Sequence, residues 1–138
     1  MDSIGYKPGT FDLFHIGHLR SLITAKALCD KLIVGVLADD LVEEYKGSKP
    51  YIPLQQRVEI VGAMGCVDAV VEAYTRNVWE EWCRMKFDVV FIGDDWYGDK
   101  EWSEWEYKLK DCGVVIRFLP RNSHISTTGI CDGIRGIK

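Results

Sequence analysis

Leu32-Ile33-Val34-Gly35-Val36-Leu37-Ala38 is an unbroken apolar run, too short for a buried helix and β-branched enough for a strand covered on both faces. Val67 to Val71, Asp88 to Ile92 and Val114 to Leu119 read the same way. Ile4 to Lys7 reads as a weaker first strand, because Gly5 and Pro8 disfavour regular pairing. Helical patterns lie between these runs. One spans Ile16 to Cys29, with Leu19, Leu22, Ile23 and Ala27 on one face. A second starts at Pro53, a residue suited to the first helical turn, and carries Leu54, Val58 and Val61 at helical spacing. A third begins near Asn77, with Glu80 placed as in a capping box. A fourth runs from Glu101 to Cys112, with Gly113 as its C-terminal cap. A last, weak helix follows Ser126 and is diluted by Gly129, Gly133 and Gly136.

Strand and helix thus alternate five times. Parallel strands joined by right-handed helical crossovers follow, giving an α/β Rossmann-like fold: a doubly wound, three-layer α/β/α domain with a five-stranded parallel sheet. The 138 residues make one domain over the whole chain. Such sheets bind ligands at the carboxyl ends of their strands. The functional loops are therefore Gly9 to His18, Asp39 to Pro53, Gly93 to Asp99 and Arg121 to Thr128.

Bulk properties narrow the classes of partner. Hydrophobic residues at 47% and charged residues at 28% describe a folded globular chain. A net charge of -4 argues against a general nucleic-acid binder. No apolar run approaches a membrane span, and the N-terminus lacks a signal-peptide pattern, so a cytoplasmic location is expected. The five cysteines form no C-x-x-C pair, which argues against a zinc site or disulfide framework.

The most informative loop is Gly9-Thr10-Phe11-Asp12-Leu13-Phe14-His15-Ile16-Gly17-His18, where the first strand turns into the first helix. Free amides and the positive end of that helix make an anion site. His15 and His18 are three apart and share one side of the helix start. Gly9 permits close approach to the backbone, and Gly17 leaves room for a phosphate. Two imidazoles and several amides around one point suit a triphosphate undergoing substitution. A half metal site and a histidine pair without a role are the plainer alternatives; with His124 the only other histidine, no resident protein metal site is expected. The dinucleotide fingerprint G-x-G-x-x-G is absent.

This stretch resembles the H-x-G-H signature of the cytidylyltransferase-type nucleotidyltransferases. Gly93-Asp94-Asp95-Trp96 resembles the G-D-D-W of the glycerol-3-phosphate cytidylyltransferases in that family, and Arg121-Asn122-Ser123-His124-Ile125-Ser126-Thr127-Thr128 resembles their R-T-E-G-I-S-T-T. The resemblance implies transfer of CMP from CTP to a small phosphorylated alcohol, glycerol 3-phosphate foremost, with release of pyrophosphate. ATP as donor, or a nucleotide-binding protein without activity, are the alternatives. His15, His18 and Lys46 become the implied catalytic residues. Gly9, Thr10, Phe11, Asp12, Gly17, Asp94, Arg121, Ile125, Ser126, Thr127 and Thr128 would hold the nucleotide. Asp12, Lys46, Arg57 and Trp96 would hold the acceptor. Mg²⁺ is expected to arrive on the CTP phosphates. A homodimer is implied too, although Gly65-Cys66-Val67-Asp68 lacks the arginine of the family's R-Y-V-D, and no counterpart is found for a lysine that helps hold the acceptor.

Overall fold

The computed structural model describes residues 3–93 and 101–119. Its elements are β1 (Ile4–Gly9), α1 (Ile16–Ala27), β2 (Lys31–Leu37), α2 (Asp39–Lys46), α3 (Leu54–Gly62), β3 (Ala69–Ala73), α4 (Val78–Met85), β4 (Val89–Ile92), α5 (Trp102–Asp111) and β5 (Val115–Phe118). All pairings are parallel, in the order β3-β2-β1-β4-β5. The chain winds outward from β1 through β2 to β3, then returns to place β4 against the other side of β1. The crevice at the carboxyl ends of β1 and β4 is therefore the topological switch point where ligands bind in this architecture.

Side-chain alternation along the strands builds one core on each face. Leu32, Val34 and Val36 of β2 join Leu22 and Ala25 of α1 and Val61 of α3. On the opposite face Tyr6 of β1 and Val90 and Ile92 of β4 join Val78, Trp102, Trp105 and Leu109 from α4 and α5. Each fully buried aliphatic or aromatic side chain contributes about 1.5–3 kcal/mol, so these layers fix the positions of the loops above them. The expected three-layer fold is what forms.

Four expectations are corrected. The segment from Asp39, read as a loop, begins with helix α2. Asp39 and Asp40 favour a helix start through the dipole, and Gly47, at φ +88°, closes its end. Only Val42 is fully buried, so the apolar period that marks a helix is faint. β3 and β5 were expected to be covered on both faces. Among the described residues they are the sheet edges, and most of their side chains are partly or fully exposed. Finally, Pro53 caps α3 from outside the helix. At α4, Asn77 Oδ1 accepts from Trp79 N and Glu80 N, but its own N–H donates to Thr75 Oγ1 and not to Glu80. The helix expected after Ser126 lies outside the described residues.

Candidate active site

The turn from β1 into α1 is held open by strain and close packing. Phe11 and Leu13 have positive φ, +55° and +48°, a costly conformation for residues with side chains. Phe11 turns back under the strand so tightly that a Cβ on Gly9 would lie 2.7 Å from its ring. Gly9 thus admits a side chain of the protein itself. The Phe11 ring is buried in the core and tilts against the His18 ring at 5.7 Å. Its side chain packs against His18 and so lies in the core.

His15 and His18 form a capping box from imidazoles in place of the usual hydroxyl and carboxylate. His15 Nδ1 accepts from Gly17 N at 3.0 Å, and His18 Nδ1 accepts from His15 N at 3.1 Å. The rings lie 4.0 Å apart. Both Nδ1 atoms are therefore acceptors, which assigns the proton of each neutral ring to Nε2. Nε2 of His15 is buried with no hydrogen-bond partner among the described residues.

Burial pushes the His15 pKa below its usual value. Burial also carries His18 down to about 3, aided by His15 and by the charges of Lys7 and Lys46. The pair at neutral pH is thus a set of N–H donors at a helix N-terminus. Lys46, exposed at the end of α2, is near enough for its charge to act on His18. Lys7, on β1, lies only 7% exposed with Nζ 6.0 Å from the Phe11 ring centroid. Sequence reading passed over Lys7; the signal was a charge in a strand that must cross the middle of the sheet.

Two acidic and basic side chains expected to touch ligands build the frame instead. Arg57 is fully buried. Its Nε donates to Ile52 O at 2.7 Å, Nη1 to Thr10 O and Leu37 O at 2.8 Å each, and Nη2 to Asp39 Oδ1 at 2.6 Å. Its fork is committed to the ends of β1 and β2 and the start of α2, so the expected contact with an acceptor phosphate is corrected to a structural clamp. Asp12 is 5% exposed, and its oxygens accept from Leu13 N, Ile52 N and Tyr51 N. It secures the 51–52 turn against the loop that follows β1. Thr10 Oγ1 meets Tyr45 Oη at 3.1 Å, locking the opening turn to α2. Lys49 pairs with Asp40 at 3.6 Å, on the acidic side of α2. Asp94, Trp96, Arg121, Ile125, Ser126, Thr127 and Thr128 lie outside the described residues. Among the described residues, no group of three or more His, Cys, Asp or Glu is placed to hold a metal, and no helix is long and apolar enough to cross a membrane.

The sheet in this order, with a histidine-capped helix at its switch point, is a Rossmann-like α/β fold. The chain belongs to the cytidylyltransferase-like family, which matches residues 6–132. It is 35% identical over 130 residues to the glycerol-3-phosphate cytidylyltransferase of Bacillus subtilis, covering 94% of this chain and 95% of that protein. It is 36% identical over 111 residues to the FAD synthase of Methanothrix thermoacetophila, covering 80% and 75% respectively. Among solved structures, the lipopolysaccharide core biosynthesis protein of Thermoplasma volcanium superposes with a TM-score of 0.72 over 88% of this chain and 98% of that one, at 20% identity. That likeness concerns the fold.

Proposed function

We propose that the chain transfers CMP from CTP to a small phosphorylated alcohol, with glycerol 3-phosphate the leading acceptor, and releases pyrophosphate. The observation that carries this reading is the reciprocal His15/His18 cap, which commits both Nδ1 atoms to the backbone and leaves Nε2–H as the donor of each ring. An oxygen of the acceptor phosphate attacks the α-phosphorus of CTP. The new P–O bond forms in line as the bond to the β-phosphate oxygen breaks. The nucleophile is already an anion, so catalysis rests on positioning and on stabilising charge. The Nε2–H groups donate to the oxygens around the α-phosphorus. Lys46 offsets charge between that phosphorus and the leaving group. Ser126, Thr127 and Thr128 are assigned to the outer phosphates, and Asp94 and Arg121 to the nucleotide. Mg²⁺ would ride mainly on the triphosphate oxygens, as it commonly does, with the chain supplying N–H donors around them. A homodimer belongs to the same proposal and is read by light scattering of the purified chain.

The choice of CTP rests on the G-D-D-W and R-x-x-x-I-S-T-T segments and on the similarity to the cytidylyltransferase along nearly all of both chains. ATP is the second reading, favoured by FAD synthases at equal identity, 36% and 35%. Pyrophosphate release and product mass, measured with CTP and ATP against glycerol 3-phosphate, other phosphorylated alcohols and flavin mononucleotide, decide between them. A CDP-alcohol supports the proposal. Formation of FAD, or of an ADP-linked product alone, replaces it.

A further inference from the structure

Phe14 is the residue immediately before the His15 cap, one position after the strained Leu13. An apolar side chain at that position ordinarily staples the chain to the first turn of the helix. Here the Phe14 ring meets an imidazole: its centroid lies 5.3 Å from that of His18, with the rings inclined at 32°. Phe11 lies against the same imidazole at 5.7 Å and 56°, and His15 at 4.0 Å and 31°. The hydrogen bond from His15 N to His18 Nδ1, at 3.1 Å, sets which edge of the ring faces the cap. The two phenylalanines differ in setting. Phe11 is 5% exposed and belongs to the core. Phe14 is half-buried and packs on the margin of that core. Phe14 can therefore be changed without hollowing the centre, and neither hydrogen bond of the histidine cap uses it.

We infer that Phe14 is a positioning residue for His18: with Phe11 it brackets the imidazole, holds the plane of the ring and keeps water from it. Aromatic rings with centroids about 4.5–7 Å apart have preferred inclinations, which a leucine of similar bulk does not impose. Burial is also the main reason that His18 is carried down to about 3, with His15, Lys7 and Lys46 adding to it. Among the described residues those three are the groups whose charges act on His18; the phenyl rings carry none and act by excluding water. The consequence for turnover rests on the nucleotidyl transfer reading. The consequence for the His18 ring rests on the packing alone.

The full chain, with ¹⁵N-labelled imidazoles and without nucleotide, reports the bracket by NMR as pH falls from neutral into the acid range. Wild-type His18 should stay neutral, with its proton on Nε2, well below the usual histidine range. In Phe14→Ala the His18 titration should climb by about 1 to 2 pH units, a part of the shift that burial produces. The kcat for nucleotidyl transfer should fall about tenfold to a hundredfold, the scale of a misplaced reacting group, with KM for both substrates near wild type. Phe14→Tyr keeps the ring and should recover most of both effects. Phe14→Leu keeps apolar bulk and should recover little of the loss in kcat. Phe14→Ala with the His18 titration of wild type, or with a defect confined to KM, overturns the inference. Phe14→Leu with the titration and kcat of wild type overturns it too, and decides the matter if the alanine variant fails to fold. If no acceptor yields product with either triphosphate, the transfer reading falls while the titration still tests the bracket.

Discussion

Replacing Arg57 with alanine separates two roles that predict different experiments. The side chain is fully buried, and four hydrogen bonds leave it. Truncation strands three backbone carbonyls, of Ile52, Thr10 and Leu37, and leaves Asp39 without its ion-pair partner. Breaking a buried pair by removing one partner costs about 3–5 kcal/mol. The Asp39 side chain is 34% exposed and can recover water, which places the expected loss near the lower end, about 3 kcal/mol. For a chain of 138 residues each kcal/mol shifts Tm by about 3–4 °C, so a drop of about 10 °C is expected. Arg57→Lys should recover only part of it, since one ammonium cannot span donors aimed at both strand ends. Calorimetry or circular dichroism measures the shift. Activity measured well below the lowered Tm should fall for nucleotide and acceptor together, because Thr10 loses its anchor. A variant of wild-type Tm whose only defect is a raised KM for the acceptor would refute the clamp and restore Arg57 to the acceptor site.

Further outcomes follow from the same geometry. His15→Ala and His18→Ala should each lower turnover about 10²–10³-fold, the usual cost of one preorganised donor; near-normal turnover by either variant removes that histidine from the mechanism. His15→Asn should keep the helix cap, since asparagine is a favoured N-cap, and still lose turnover; if it restored activity, capping alone would be the role of His15. His18 is held at about 3 in the fold against about 6.5 when unfolded, so below pH 6.5 the unfolded chain binds the extra proton first. Its contribution to stability is intact above pH 6.5 and is lost as pH falls toward 3, by up to about 1.4 kcal/mol per pH unit, whereas His18→Gln should show a flatter acid profile in denaturant titrations. Lys46→Ala should reduce kcat without shifting Tm, because the side chain is exposed at a helix end; an unchanged kcat would exclude it from the transition state.

The fold was legible because its β2 strand is a nearly unbroken apolar run, although the face read for the first helix, Leu19, Leu22, Ile23 and Ala27, was only partly right: α1 buries Leu22 and Ala25, while Ile23 and Ala27 are exposed. Helix α2 escaped notice because it buries little and depends on end effects at Asp39 and Gly47. Sequence pattern placed His15, His18 and Lys46 at the carboxyl edge of the sheet, where they lie. It could not distinguish an arginine that faces solvent from one that faces inward. Arg57 is drawn into the core by the carbonyls of Thr10 and Leu37. Such pairings join residues 20 to 47 positions apart, beyond any local period.

The site divides direction from charge between its two histidines and the two lysines near them. At neutral pH, with a pKa of about 3, roughly one His18 in ten thousand carries a proton on both nitrogens. The imidazoles thus supply direction and little charge. A protonated pair 4.0 Å apart would repel, and each ring would lose the Nδ1 acceptor that caps α1. Capping and donation are therefore compatible only in the neutral state. The positive charge that a triphosphate requires must come from groups other than these imidazoles, and Lys7 on β1 and Lys46 at the end of α2 lie near enough for their charges to act on His18. Burial above all, and then His15 and those same cations, keep His18 neutral. The arrangement is self-consistent: the neutral rings that burial favours are the ones whose Nδ1 atoms can cap α1 and whose Nε2 atoms carry the proton.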